Sequence, residues 1–187
     1  WSSDVCSSDL AEIYLKECME KQDSSGGVIE CTVHGMPAGI GEPVFEKLDA
    51  VLAKAVMSIG AVKGVEIGDG FQAATSHGSI NNDAFTCENG SISKLTNHSG
   101  GILGGMSDGS DIVLRAAFKP TPSISQVQQT VTTTSENIDL SIHGRHDPII
   151  VPRAVVVVES MVALTLIDLL FANMSSRLDK ILSFYKR

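Results

Sequence analysis

Residues 154–172 read AVVVVESMVALTLIDLLFA, and no other stretch limits the fold so strongly. The length suits a bilayer. Glu159 and Asp168 lie inside it, however, and each would cost about 2.5–3.5 kcal/mol near a membrane centre. The run is better explained as a helix that is apolar nearly all round, and so buried on more than one side. Pro152 suits its first turn, where the missing N–H goes unused, and the helix should run to about residue 176. Such a helix needs partner layers. At 187 residues the chain is long enough to build one domain with a sizeable core.

The partners are legible as alternating strands. Ile29, Cys31 and Val33 share one side of a strand over 28–33, with Glu30 and Thr32 on the other. Residues 62–67 and 111–118 read the same way, the second with Ile112, Leu114, Ala116 and Phe118 on one face. Ile138, Leu140 and Ile142 alternate again, after a polar segment over 125–137 that reads as a loop or an edge strand. Glu88-Asn89-Gly90 suits a hairpin turn. Phe45, Leu48, Leu52, Ala55, Val56 and Ile59 recur at helical spacing after Pro43, predicting a helix that Gly60 ends. A short amphipathic helix is expected over 11–22 and a short helix or turn near 71–75. Strands do not each carry a following helix, so the class is α+β with antiparallel sheet. Residues 1–10, WSSDVCSSDL, show no apolar period and no signal-peptide pattern. They are set aside as foreign to a domain spanning 11–187.

Composition removes several functions. The net charge of -8 gives no electrostatic reason to bind nucleic acid or an anionic membrane. Cys6, Cys18, Cys31 and Cys87 form no C-x-x-C pair, so the reading is reduced thiols and no metal site. The five histidines are scattered, and His34, His77, His98 and His143 read as loop residues.

Three loops could carry chemistry. NHSGGILGGMSDG, residues 97–109, could bring backbone N–H groups close to an anion, or be a flexible linker. It is neither a P-loop nor a dinucleotide fingerprint. KPTPS, residues 119–123, could hold a phosphate or flavin edge through Lys119, Thr121 and Ser123, or be a rigid surface turn. In GRHDP, residues 144–148, Arg145 beside Asp147 would keep that carboxylate ionised as a base or a flavin-orienting group. The alternative is a solvated or Asx turn ahead of Pro148. From the residues alone the reading stops at an α+β domain with an anion or cofactor site in its loops.

The ordered blocks carry further. DSSGGVIE (23–30), GIGEPVFEKLDA (39–50), MSIGAVKGVEIGDGF (57–71), NHSGGILGGMSDG (97–109), FKPTPSI (118–124) and GRHDPIIVPRA (144–154) together resemble the second half of the chorismate synthase family, over residues 11–176. The resemblance implies a β-α-β sandwich, helices between two antiparallel sheets, assembled as a cytoplasmic homotetramer. It implies a phosphate lyase of aromatic amino-acid biosynthesis, converting 5-enolpyruvylshikimate 3-phosphate to chorismate by 1,4-elimination. Reduced FMN is required, with NADPH a candidate source of reduction. No nucleic acid or membrane partner is implied.

Motif by motif, the resemblance makes Gly60, Ala61, Gly104, Lys119, Pro120, Thr121, Pro122, Ser123 and Arg145 the flavin-binding positions, and Asp147 the catalytic one, assisting deprotonation. Gly60 stands where the family has Asn, and Pro122 where it has Ser; His146 stands where it has His or Ser. The family's Gly-Glu-Ser-His-Gly motif, its second catalytic histidine, its phosphate-binding arginines and its Arg-Ser-Ser segment do not occur in these residues. Loss of positioned acids alone costs roughly 10²–10⁴-fold, so the isolated chain is expected to be inactive. Two alternatives stand beside this reading: a non-catalytic fragment that binds flavin or forms oligomers, and an unrelated phosphate-binding domain.

Overall fold

A computed structural model describes residues 5–42, 44–88, 90–142, 144 and 147–186. Its centre is a strand that the alternation predicted, β7 (Ile112–Phe118). Ile112, Leu114, Ala116 and Phe118 are buried on one face, and Val113, Arg115 and Ala117 are half-buried on the other. Two strands flank it antiparallel: β1 (Gly27–Val33) and β2 (Val62–Ile67), giving the order β1-β7-β2. The register aligns the apolar faces. Ile29 lies opposite Ala116, Cys31 opposite Leu114 and Val33 opposite Ile112. On the other side Val65 pairs with Ala116 and Ile67 with Leu114, after a bulge between Val62 and Gly64.

Two helices cover that face. In α2 (Leu48–Met57) the residues Leu48, Leu52 and Val56 recur every fourth position and are buried. In α4 (Val151–Ser175) the buried stripe is Val158, Val162, Leu166 and Leu169. Both stripes meet the strands in one core. Each large side chain so buried contributes about 1.5–3 kcal/mol.

The long helix departs from expectation in its surroundings. It was expected to be buried on more than one side, yet Val156, Leu164 and Phe171 are each more than 60% exposed. The reason is that, among the described residues, α4 packs mainly on α2, the edge of the three-stranded sheet at β1, and the short helix Leu178–Tyr185, so its opposite stripe has no second sheet above it. By length and composition Val151–Ser175 could also cross a membrane, with 33% of its most apolar window buried in the chain's own core. The α+β class with antiparallel sheet holds, as part of a domain.

The remaining elements are small. An α-helix, α1 (Val5–Glu20), runs without a break past residue 10, and over 10–20 Cys18 is its one buried residue. A 3-10 helix over Gly70–Thr75 and a one-turn helix, α3 (Gly78–Asn81), follow β2. Three hairpins then form: β3 (Phe85–Glu88) with β4 (Ser91–Lys94), β5 (Ile102–Leu103) with β6 (Met106–Ser107), and β8 (Gln128–Val131) with β9 (Asn137–Leu140). A final helix, α5 (Leu178–Tyr185), ends the chain. The helix expected to begin at Phe45 begins instead at Leu48, because a turn with Glu42 N–H on the Glu46 carbonyl reverses the chain, leaving Phe45 exposed. Pro43 lies outside the described residues.

Candidate functional site at the Phe118 end of the sheet

Where β7 ends, segments from four parts of the chain meet. Gly27 pairs with Phe118, so the turn at 23–26 lies beside the segment that leaves the sheet at Lys119. The Lys119 N–H donates to the Ala61 carbonyl at 2.9 Å, which brings Gly60-Ala61 to the same place. Ala61 sits at φ 71, a left-handed conformation that costs a non-glycine residue about 1–2 kcal/mol. The Ser24 hydroxyl donates to the Thr121 carbonyl at 2.6 Å. The Ser25 N–H donates to the Pro148 carbonyl at 2.8 Å, and Ser25 bridges Ile149, which draws in the segment that precedes α4.

The polar capacity of this corner is largely unused. Lys119 is exposed, and its ammonium meets no acceptor among the described residues. The Thr121 Oγ1 is buried and has no hydrogen-bond partner among the described residues. A buried hydroxyl left unpaired costs about 1–3 kcal/mol. Ser123 and Asp147 line one 170 Å³ cavity together with Asp23, Ser24 and Pro148. Asp147 is half-buried, and the Arg153 Nη1 donates to its Oδ2 at 2.6 Å. The sequence suggested Arg145 for that role; the described partner is Arg153, in the first turn of α4. Arg145, His143 and His146 fall outside the described residues.

Of the expected flavin positions, then, Gly60, Ala61 and 119–123 come together with Asp147 at one end of the sheet. Gly104 does not join them. It forms, with Gly105, the two-residue turn between β5 and β6, both at positive φ (60 and 86), as a tight hairpin requires. The Gly105 carbonyl accepts the Leu48 N–H at 2.8 Å, so this turn sits at the start of α2, whereas Gly60-Ala61 follows its end. An α2 of 10 residues separates the two by about 15 Å.

The glycine segment is pinned, not a linker. A Cβ at Gly68 would strike the His98 carbonyl, and one at Gly100 would strike the Gly68 backbone nitrogen. Beside it lies a polar cluster that sequence reading missed. The Lys94 Nζ reaches Asp108 at 2.6 Å, Ser99 at 2.9 Å, Asp83 at 3.3 Å and Asn97 at 3.4 Å, with all three charged side chains buried. Burial pushes the Asp83 carboxyl up, but the N–H groups of Ser99 and His98 and the Thr96 hydroxyl outweigh it and hold the group well below the ordinary range. Asp108 is likewise lowered: burial raises it, and the Lys94 and Ser110 contacts more than reverse that. His98 Nδ1 lies 2.7 Å from Asp69. A signal was present for half of this. Phe85 pairs with Lys94 across the hairpin, so the register alone puts Lys94 near Asp83. Nothing local points to Asp108. Among the described residues no group of three or more metal-ligating side chains occurs.

Known proteins resemble this chain in sequence and in fold. The family model described as chorismate synthase matches residues 3–171. The chorismate synthase of Lachnoclostridium phytofermentans is 64% identical over 185 residues, 98% of this chain and 50% of that protein. That of Agathobacter rectalis is 62% identical over 95% of this chain and 48% of its own length. An archaeal relative, from Methanosarcina mazei, is 59% identical over 80% of this chain and 41% of its own. A crystal structure of chorismate synthase superposes with a TM-score of 0.72 at 34% identity, covering 89% of this chain and 43% of that one. The chain therefore spans about half the length of the curated relatives it matches. Matched by the family model over most of its length, and more than 60% identical to such relatives across nearly all of it, this chain belongs to the chorismate synthase family.

Proposed function

We propose that this chain forms one wall of the flavin site of a chorismate synthase, a lyase that eliminates phosphate from 5-enolpyruvylshikimate 3-phosphate to give chorismate. The observation that carries the reading is the convergence of Gly60, Ala61, Lys119, Thr121, Ser123 and Asp147 at one end of the sheet, with polar atoms left without partners. Reduced FMN is the cofactor proposed, with NADPH as a source of its reduction, in a cytoplasmic homotetramer that needs neither nucleic acid nor membrane.

The residues fit such a group in part. The orphaned Thr121 hydroxyl and the free Lys119 ammonium suit an anionic or carbonyl-rich edge. The cavity, at 170 Å³, is smaller than the roughly 300–1,000 Å³ of a site that encloses a cofactor. This corner would therefore hold one side of it. When bound, reduced FMN supplies the electron that helps phosphate leave. The chain's own contribution is placement and proton handling. Lys119 offers a positive charge, and Thr121 and Ser123 offer hydroxyl donors. Asp147, oriented by the Arg153 Nη1 donating to its Oδ2, holds its other carboxylate oxygen ready to accept a proton from a bound substrate. Among the described residues of this corner the proposed substrate phosphate finds no arginine cluster. The chain by itself should release no phosphate from that substrate with reduced FMN, and measurable release would overturn this part of the reading.

The direct test is FMN titration by fluorescence quenching on the purified chain. Saturable binding, weakened by Thr121→Val and by Arg145→Ala, supports the half-site. A folded sample that does not bind FMN refutes it. The chain would then be a structural or oligomer-forming piece, as the uncovered stripe of α4 allows.

A further inference from the structure

We infer that the turn at 23–27 is the positioning element of this corner, and that the Ser24 hydroxyl sets the 119–123 segment against Asp147. This rests on the flavin reading for its purpose but not for its geometry.

The 119–123 segment is unusual in how it can be anchored. Pro120 and Pro122 have no N–H, and the Lys119 N–H is already spent on Ala61. What remains to tie the segment down is chiefly its carbonyls, so a donor must come from elsewhere. Ser24 supplies it, across 97 positions of sequence, at 2.6 Å to the Thr121 carbonyl. Among the described residues this is the one side-chain hydrogen bond to 119–123. Fixing that carbonyl fixes the Thr121 peptide, and with it the orphaned Thr121 hydroxyl two bonds from the backbone.

The same turn holds the other half of the corner. Ser25, buried, gives its N–H to Pro148 and bridges Ile149, just after Asp147. The turn itself is closed by the Ser24 N–H on its neighbour's Asp23 Oδ1 at 2.8 Å. Position 26 must be glycine for this packing, since a Cβ there would strike the Phe118 carbonyl and come within 3.2 Å of the Pro120 ring. Two adjacent serines thus grip two distant segments, and the spacing between Ser123 and Asp147 across the cavity follows from that grip.

Ser24→Ala, Ser24→Thr and Ser58→Ala test this in the chain as it stands. Ser58 is the control, because its hydroxyl makes an equally short bond, 2.6 Å to Ala55, at an exposed helix end. Hydrogen exchange is read at the amides of Thr121, Ser123, Ile124 and Ser125. FMN affinity is read by fluorescence quenching, with anisotropy of the bound flavin as its spectroscopic signature. Ser24→Ala should speed exchange at those amides about five- to tenfold, as for one lost hydrogen bond, and weaken FMN binding by a similar factor. It should leave β7 and α4 unchanged. Ser24→Thr keeps the hydroxyl and should restore both readouts, and Ser58→Ala should alter neither. Unchanged exchange at 121–125, or acceleration spread evenly over the core, overturns the inference. So does local loosening with FMN affinity intact. If the unaltered chain binds no FMN, the flavin reading fails, while the exchange arm still decides whether Ser24 fixes the segment.

Discussion

Two lysines stand at opposite ends of β7 and are treated in opposite ways. At the Ile112 end Lys94 is buried and surrounded by two carboxylates, a hydroxyl and an amide oxygen. At the Phe118 end Lys119 is exposed and meets no acceptor among the described residues, beside a buried hydroxyl that is also unpaired. The first end has used its polar capacity on itself, so it is scaffold. The second has kept its capacity unspent, which is the condition for binding something else. The contrast separates two loop regions that sequence alone left open between binding and structural roles, and it can be broken at several points.

The largest effect should come from Lys94→Met. Removing one partner of a buried ionic cluster leaves the others uncompensated, at about 3–5 kcal/mol. Urea denaturation of the variant should show that loss, and Lys94→Met combined with Asp108→Asn should recover part of it. A cost below about 1 kcal/mol is what an exposed pair would give, and would mean that water enters the cluster. Lys119→Met at the other end should leave stability within about 0.5 kcal/mol while weakening FMN binding.

The same end should dominate acid sensitivity. Asp83 and Asp108 both titrate below the ordinary value of about 3.9. A folded-state value lower than the unfolded one means stabilisation fully present above the unfolded value. It is lost as pH falls from about 3.9 through the folded-state values. Stability measured from pH 6 downward should therefore fall below pH 4, and Asp83→Asn should flatten that limb. An unchanged limb in the variant would assign the acid loss elsewhere.

Glycines sharpen the contrast at smaller magnitude. Gly68→Ala combines a positive φ with collision against backbone, and should cost more than about 2 kcal/mol. Gly60→Ala meets nothing within 4 Å and needs no left-handed backbone. It should be neutral, or stabilise by up to about 1 kcal/mol through the unfolded chain. Equal costs at the two positions would show that the Gly60 corner is as tightly built as the other.

How much of this was legible depended on distance along the chain. The alternation of 112–118 and 28–33 is local, and the strands and their buried faces followed from it. The helix through Val158 and Leu166 was equally plain, but apolarity says that a surface seeks cover without saying what covers it. Phe45 matched the helical phase of Leu48 and Leu52, and only the turn at 42–46 and the distant Gly105 carbonyl decide where α2 begins. Arg145 was the nearest cation to Asp147 in sequence, whereas the described partner is Arg153, brought round by the first turn of α4. The glycine segment could be read as linker or as anion loop. Its contact with Gly68, some thirty positions away, settles that it is pinned. The expected site positions rest on ordered motifs, since no physical pattern in one sequence joins Ala61 to Lys119.

That last pair gives the finest test. Ala61 holds a left-handed φ of 71 while its carbonyl accepts the Lys119 N–H. Glycine would remove a strain of about 1–2 kcal/mol and lose about 0.4–1 kcal/mol to the freer unfolded chain. Ala61→Gly should therefore gain roughly 0.5–1 kcal/mol, a rise of about 1–4 °C in Tm for a chain of this size. The Ala61 methyl packs against the core, which opposes the gain. A net loss of stability would mean that this packing, and not the backbone, fixes the residue. Strained residues held by their surroundings concentrate where a ligand needs a fixed shape. A variant that melts higher but binds FMN less tightly would show that the strain holds the Lys119 segment in place for the ligand. A variant that melts higher and binds as well would make Ala61 an ordinary turn residue, and would leave Ser24 as the principal constraint on this end of the sheet.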